Sequence, residues 1–273
     1  MNKSRVLTQA LLVLSALALG FAGYLLLLSP LQYDRAQTVL YAKARETLAD
    51  TSMPTGGKID AGTPVAFLEI PGLGLSEVVV EGTAGSQLAL GPGHGRTSPL
   101  PGQPGTSVLM GRAQTYGAPF KEIGKLQAGD EVDVTTAQGR FTYRVDRVRR
   151  EGDPRPPAAG KGRLMLISAE GGDWTGPERT VFVDSTLTGD VAAPPGGRST
   201  TMLPEEAALE RDSGVLIELV LWLQVLALAF GLFVWARIRW GRWETWLVGV
   251  PVVVAATWQV YQSAAVAVLP NLL

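Results

Sequence analysis

Ser107–Phe120, reading Ser-Val-Leu-Met-Gly-Arg-Ala-Gln-Thr-Tyr-Gly-Ala-Pro-Phe, is the stretch best placed to mount chemistry. The apolar run Val108–Met110 stops at Gly111 and gives way to Arg112, Tyr116 and a Gly-Ala-Pro-Phe turn. A buried strand of this kind delivers side chains to a cleft. Leu164–Ser168, followed by Ala169 and Glu170, is a second strand end, and Arg179 opens a third strand. If Arg112 and Arg179 face one another they form a cationic cleft for a peptide carboxylate or an acidic side chain; the alternative is that each pairs with a local acid such as Glu170 or Asp184. Ser168 becomes a nucleophile only beside a base, and His94 or Glu170 would have to supply it. His94 is the sole histidine, so imidazole chemistry has no other source. Glu170, Asp173 and Glu178 bracket a glycine-rich loop, but their spacing matches no EF-hand pattern, and neither metal nor cofactor is expected. The chain has no cysteine, which removes both a thiolate nucleophile and disulfides.

The elements that would position these groups are mostly short strands. Val65–Ile70 and Glu77–Glu81 flank the turn Pro71-Gly-Leu-Gly74, and Glu131–Thr136 and Arg140–Arg149 alternate around Ala137-Gln-Gly139 as a hairpin. Arg144, Asp146, Arg147 and Arg149 predict a solvated face on that hairpin. Thr180–Leu187 is the last strand. Ahead of them, Tyr33–Ala49 carries apolar residues at helical spacing, and the Ser, Thr, Pro and Gly of residues 50–62 form a linker.

Gly91-Pro-Gly-His94, Pro101-Gly-Gln-Pro-Gly105, Tyr116-Gly-Ala-Pro-Phe120 and Leu164–Ser168 together resemble the sortases, surface cysteine transpeptidases that join a sorted protein to the wall or to another pilin. The resemblance covers roughly residues 63–187. It implies a mainly β fold, an eight-stranded sortase-like β-barrel outside the membrane, on a Gram-positive surface. The family writes Gly-His-Arg where this chain has Gly111-Arg112-Ala113, so its histidine position holds Arg112. Its cysteine position, closing Met165-Leu-Ile-Ser-Ala169, holds Ala169. Arg179 is the counterpart of its arginine, and His94 matches a structural element of the family rather than the catalytic position.

Three apolar runs accompany this domain. Residues 7–28, 215–235 and 246–269 are each long enough to cross a bilayer as an α-helix. Lys3 and Arg5 precede the first, and Arg237, Arg239 and Arg242 fill the connection between the other two, which places both segments in the cytoplasm. The expected organisation is therefore a cytoplasmic N-terminus over 1–6, spans at 7–28, 215–235 and 246–269, an amphipathic helix and linker over 29–62, the barrel over 63–190, a linker over 191–214, a cytoplasmic loop over 236–245 and an outer end over 270–273. Glu218 and Gln224, Gln259 and Gln262 lie inside the later spans, where polar side chains contact other helices, so the hairpin is expected to bind a partner.

Ala has no nucleophilic atom and Arg stays protonated, so the sequence predicts a non-enzyme. The expectation is a sortase-like membrane protein that scaffolds another membrane or surface protein, with Arg112, Tyr116, Ser168, Glu170 and Arg179 lining a groove for a sorting-signal-like peptide. The alternatives are an exported transpeptidase or hydrolase with a noncanonical nucleophile, and a recruiter passing sorting peptides to an active sortase. A net charge of −1 gives no basis for nucleic-acid binding.

Overall fold

The structure, a computed structural model, describes residues 3–154, 162–171, 178–239 and 241–273. It forms two compact units, one of Ser29–Asp212 with Leu269–Leu273 and one of Met1–Leu28 with Ser213–Val268.

The first unit opens with helix α2 (Ser29–Ala49) and closes eight strands into a barrel. The strands are β1 (Pro64–Ile70), β2 (Leu75–Glu81), β3 (Gly93–His94), β4 (Thr106–Met110), β5 (Glu131–Thr136), β6 (Gly139–Arg150), β7 (Arg163–Glu170) and β8 (Arg179–Leu187), with a single helical turn, α3 (Gly85–Leu88), before β3. The order around the barrel is β1-β2-β3-β4-β7-β8-β6-β5. The hairpin read around Ala137 is present, with Thr136 opposite Gly139. β3 is too short to show a period of two, and only its pairing to β2 and β4 makes it a strand.

Alternation decides what fills the barrel. Leu109, Leu164, Leu166, Val181 and Val183 point inward and pack with Val65, Leu68, Phe120, Val132 and Tyr143. Their neighbours Met110, Ile167 and Ala169 point outward yet are also buried. β7 is thus apolar on both faces, which means that something covers its outer side. On β6 a bulge between Val145 and Arg147 shifts the register. Arg149 consequently lies over the ring of Phe182 at 4.4 Å and bonds Asp184 at 2.6 Å, buried rather than solvated.

Residues 191–214, a linker by composition, bind the barrel. Arg198 reaches the fully buried Glu81 at 2.6 Å, and Glu81 in turn meets His94 Nδ1 at 2.9 Å. Arg96 pairs with Glu206, and Asp212 accepts hydrogen bonds from Ser86.

The second unit holds helix α1 (Lys3–Gly23) with the π-helical turn Tyr24–Leu28, and helices α4 (Leu216–Arg239) and α5 (Arg242–Val268). Among the described residues, Leu14–Ala49, Ser213–Arg239 and Trp243–Val268 are helices long and apolar enough to cross a membrane. α1 and α5 meet at Gly20, where a Cβ would lie 2.5 Å from the Tyr261 hydroxyl. That hydroxyl donates to the Leu17 carbonyl at 2.9 Å, and Tyr24 meets Trp258 edge to face.

Candidate functional site

The outer ends of β4 and β7 lie side by side, paired Met110 to Ile167, and the chain leaves β4 through Gly111, Arg112 and Ala113. Gly111 is required here because a Cβ would stand 2.5 Å from the Phe120 ring that closes the turn. Arg112 is fully buried: its guanidinium donates to the Thr115 hydroxyl at 3.1 Å and the Gly85 carbonyl at 3.0 Å, and lies 4.9 Å over the Tyr116 ring. Ser168, also fully buried, donates its hydroxyl to the Gly111 carbonyl at 2.9 Å. That proton is engaged with a main-chain acceptor, and neither candidate base is its hydrogen-bond partner. His94 is held by Glu81, Ser98 and the Pro99 carbonyl, and Glu170 is gripped by Arg150 at 2.5 and 2.8 Å. The bond from Arg150 keeps the Glu170 carboxyl below the usual carboxylate range.

Of the predicted binding residues, Arg112 and Tyr116 are together on one side, and Glu170 and Arg179 on another, opposed in register across β7 and β8. The two arginines have different partners. Arg179 is half-exposed and pairs with Glu170 at 3.7 Å and Glu178 at 3.9 Å, whereas Arg112 packs on Tyr116 in the interior. Asp173 lies outside the described residues. In the helical unit, Glu218 accepts from the Trp222 indole one turn on at 3.4 Å, Gln224 is exposed, and Gln259 and Gln262 are half-buried on α5.

Sequence patterns did not name the occupant of the outer face. Leu269–Leu273 joins the barrel unit, and Leu272 is fully buried among Leu88, Met110, Ala113, Ile167 and Ala169. Burying a leucine in this way contributes about 1.5–3 kcal/mol. The Ala113 N–H donates to the Leu272 carbonyl at 2.9 Å, and the Thr115 N–H and hydroxyl both donate to the main-chain oxygen of Leu273, at 2.9 and 2.8 Å. Arg112 acts behind this contact by orienting Thr115. The Asn271 amide nitrogen donates to the carbonyls of Glu205 and Ala207 at 2.7 and 2.8 Å. Two small side chains, Ala113 and Ala169, make the room for Leu272. The segment thus lies against main-chain donors on one side and an apolar floor on the other. Its sequence signals were the doubly apolar β7 and the helix-ending Pro270 ahead of Leu272 and Leu273.

The family model described as Sortase domain matches residues 68–183, the span from β1 to β8. That span has a sortase-like scaffold. Sortase D of Bacillus subtilis is 34% identical over 88 residues, 32% of this chain and 43% of that protein, so the match spans less than half of the relative. Among solved structures, sortase E from Streptomyces avermitilis is 29% identical, covering 48% of this chain and 91% of that one with a TM-score of 0.41. A Clostridium perfringens Sortase D5 transpeptidase is 20% identical, covering 57% and 98% with a TM-score of 0.46. The sortase-domain match corrects one expectation. The prediction of a non-enzyme does not stand, because the homologues of this sortase domain are cysteine transpeptidases and nothing in the fold marks it as inactive. What the residues exclude is narrower: no thiol of this chain carries an acyl group, since the chain has none.

Proposed function

We propose that this protein is a membrane-anchored sortase-domain protein that binds an extended peptide segment of another membrane or surface protein in a groove on the outer face of the paired ends of β4 and β7. The observation that carries this reading is the seating of Leu272 beside Ala113 and Ala169, with main-chain donors from Ala113 and Thr115. Such donors read any extended chain, and the apolar floor adds selectivity through one buried side chain, the division of labour seen when peptides lie along strand edges. A groove that seats a peptide also meets the first requirement of peptide transfer, and no thiol of this chain supplies the nucleophile for that step.

The proposed topology has the N-terminus inside and the barrel outside, supported by Lys3 and Arg5 before the first span and Arg237, Arg239 and Arg242 between the others. Because the chain lacks cysteine, Asp153→Cys provides a single reporter. It is expected to react with a membrane-impermeant maleimide in intact cells, and labelling only after lysis overturns the orientation.

Binding is tested by purifying the full chain from native membranes in mild detergent and identifying what accompanies it in fixed ratio. A surface or membrane protein present with the parent and absent with Ala169→Leu, which fills the groove floor, is the expected result. The same protein recovered equally with both, or no stoichiometric companion, refutes the reading.

A further inference from the structure

The geometry points to Leu269–Leu273 as a built-in ligand of the groove, a segment that occupies the seat in cis and must leave before a peptide enters in trans. This rests on the peptide-binding reading and adds its regulation. The segment makes the contacts a bound peptide would make: two consecutive main-chain oxygens taken by Ala113 and Thr115, and one leucine in the pocket. Two features distinguish it from an ordinary piece of core. It forms no strand ladder with β4 or β7, being held instead by the loop that follows β4. Asn271 is fully buried with its Nδ2 satisfied by Glu205 and Ala207, while its Oδ1 has no hydrogen-bond partner among the described residues, so the seat fits this residue incompletely. An occupant that leaves a buried polar atom unsatisfied is released more readily than one that completes its core. The ligand class favoured is an extended segment that places a leucine in the pocket.

The full chain in lipid nanodiscs tests this with two readouts. Hydrogen exchange at the Ala113 and Thr115 amides is compared between the parent, Leu272→Ser and Asn271→Ala, with the Gly111 amide, bonded to the Ile167 carbonyl at 3.1 Å, as the control for intact folding. At least tenfold faster exchange at Ala113 and Thr115 in the variants, with Gly111 unchanged, is expected. Fluorescein-labelled Leu-Pro-Asn-Leu-Leu, followed by anisotropy, is expected to bind the variants at least tenfold more tightly than the parent. Equal exchange in parent and variants overturns the inference, and so does equally tight peptide binding, which would leave the peptide-binding reading standing. Accelerated exchange with no peptide binding in any protein upholds the cis occupant and sinks the peptide-binding reading instead.

Discussion

Tyr116, Gly117 and Ala118 pass through three successive left-handed conformations, with φ of 50°, 75° and 48°. For the two residues with a Cβ this costs about 1–2 kcal/mol each, and the surroundings impose it. Arg112 stacks on the Tyr116 ring, the Ser29 hydroxyl accepts from the Tyr116 N–H at 3.2 Å, and the Phe120 N–H closes onto the Arg112 carbonyl at 3.0 Å. Gly117 is the position with no latitude, because a Cβ there would also stand 2.5 Å from the Tyr33 ring. Gly117→Ala is expected to lower stability by about 2–4 kcal/mol. Denaturant unfolding checks this, and a variant as stable as the parent contradicts the account. The Tyr-Gly-Ala-Pro-Phe motif was legible as a turn from its glycine and proline. The left-handed tyrosine was not, since nothing in its side chain prefers that conformation and only Arg112 and Ser29 hold it there.

Between elements, residues 191–212 fasten to the barrel. Proline and glycine signalled a linker there because composition reports backbone habit and not the fate of one arginine within it. Arg198 is that arginine, and it neutralises a carboxylate with no access to water. Removing it leaves Glu81 buried with His94 alone, so Arg198→Ala is expected to cost about 3–5 kcal/mol and to speed proteolysis within 191–214. Limited proteolysis at matched stability of the barrel separates the two effects, and an unchanged cleavage rate rules out a fastening role. In the helical unit, the α1 to α5 contact depends on Gly20 and on the Tyr261 hydroxyl. Tyr261→Phe is expected to weaken helix association by about 0.6–2 kcal/mol, measured by unfolding in mixed micelles. The apolar runs announced these helices plainly, but a glycine among leucines does not say which tyrosine it accommodates.

Across the whole barrel unit, Glu77 links stability to pH. It sits half-buried on β2 in a groove of about 350 Å³ against α2, with Tyr33, Asp34 and Gln37 around it. Burial pushes its carboxyl up to about 7, the Tyr33 hydroxyl pulls the other way, and the charge of Asp34 adds to the rise. The folded state therefore binds a proton that the unfolded chain releases at its ordinary value of 4.5. This contribution is fully present below that value and is lost as pH rises through about 7. Glu77→Gln is expected to match the parent near pH 4 and to exceed it by about 1–2 kcal/mol at pH 8, allowing for partial exposure. Parallel stability profiles for the two proteins from pH 4 to 8 would refute the assignment.

Local pattern determined a good deal of this protein. Apolar run length set the candidate spans, alternation set most strands and their buried faces, and the missing cysteine by itself ruled out thiol chemistry. Only the tertiary structure decided which surfaces meet. Thr115 and Leu273 are 158 residues apart, Arg198 and Glu81 are 117 apart, and Arg149 turns to Asp184 after a bulge. The period of a strand states that the outer side of β7 is apolar and must be covered. It contains no term for the identity of the cover, which depends on chain closure and on the space left by Ala113 and Ala169.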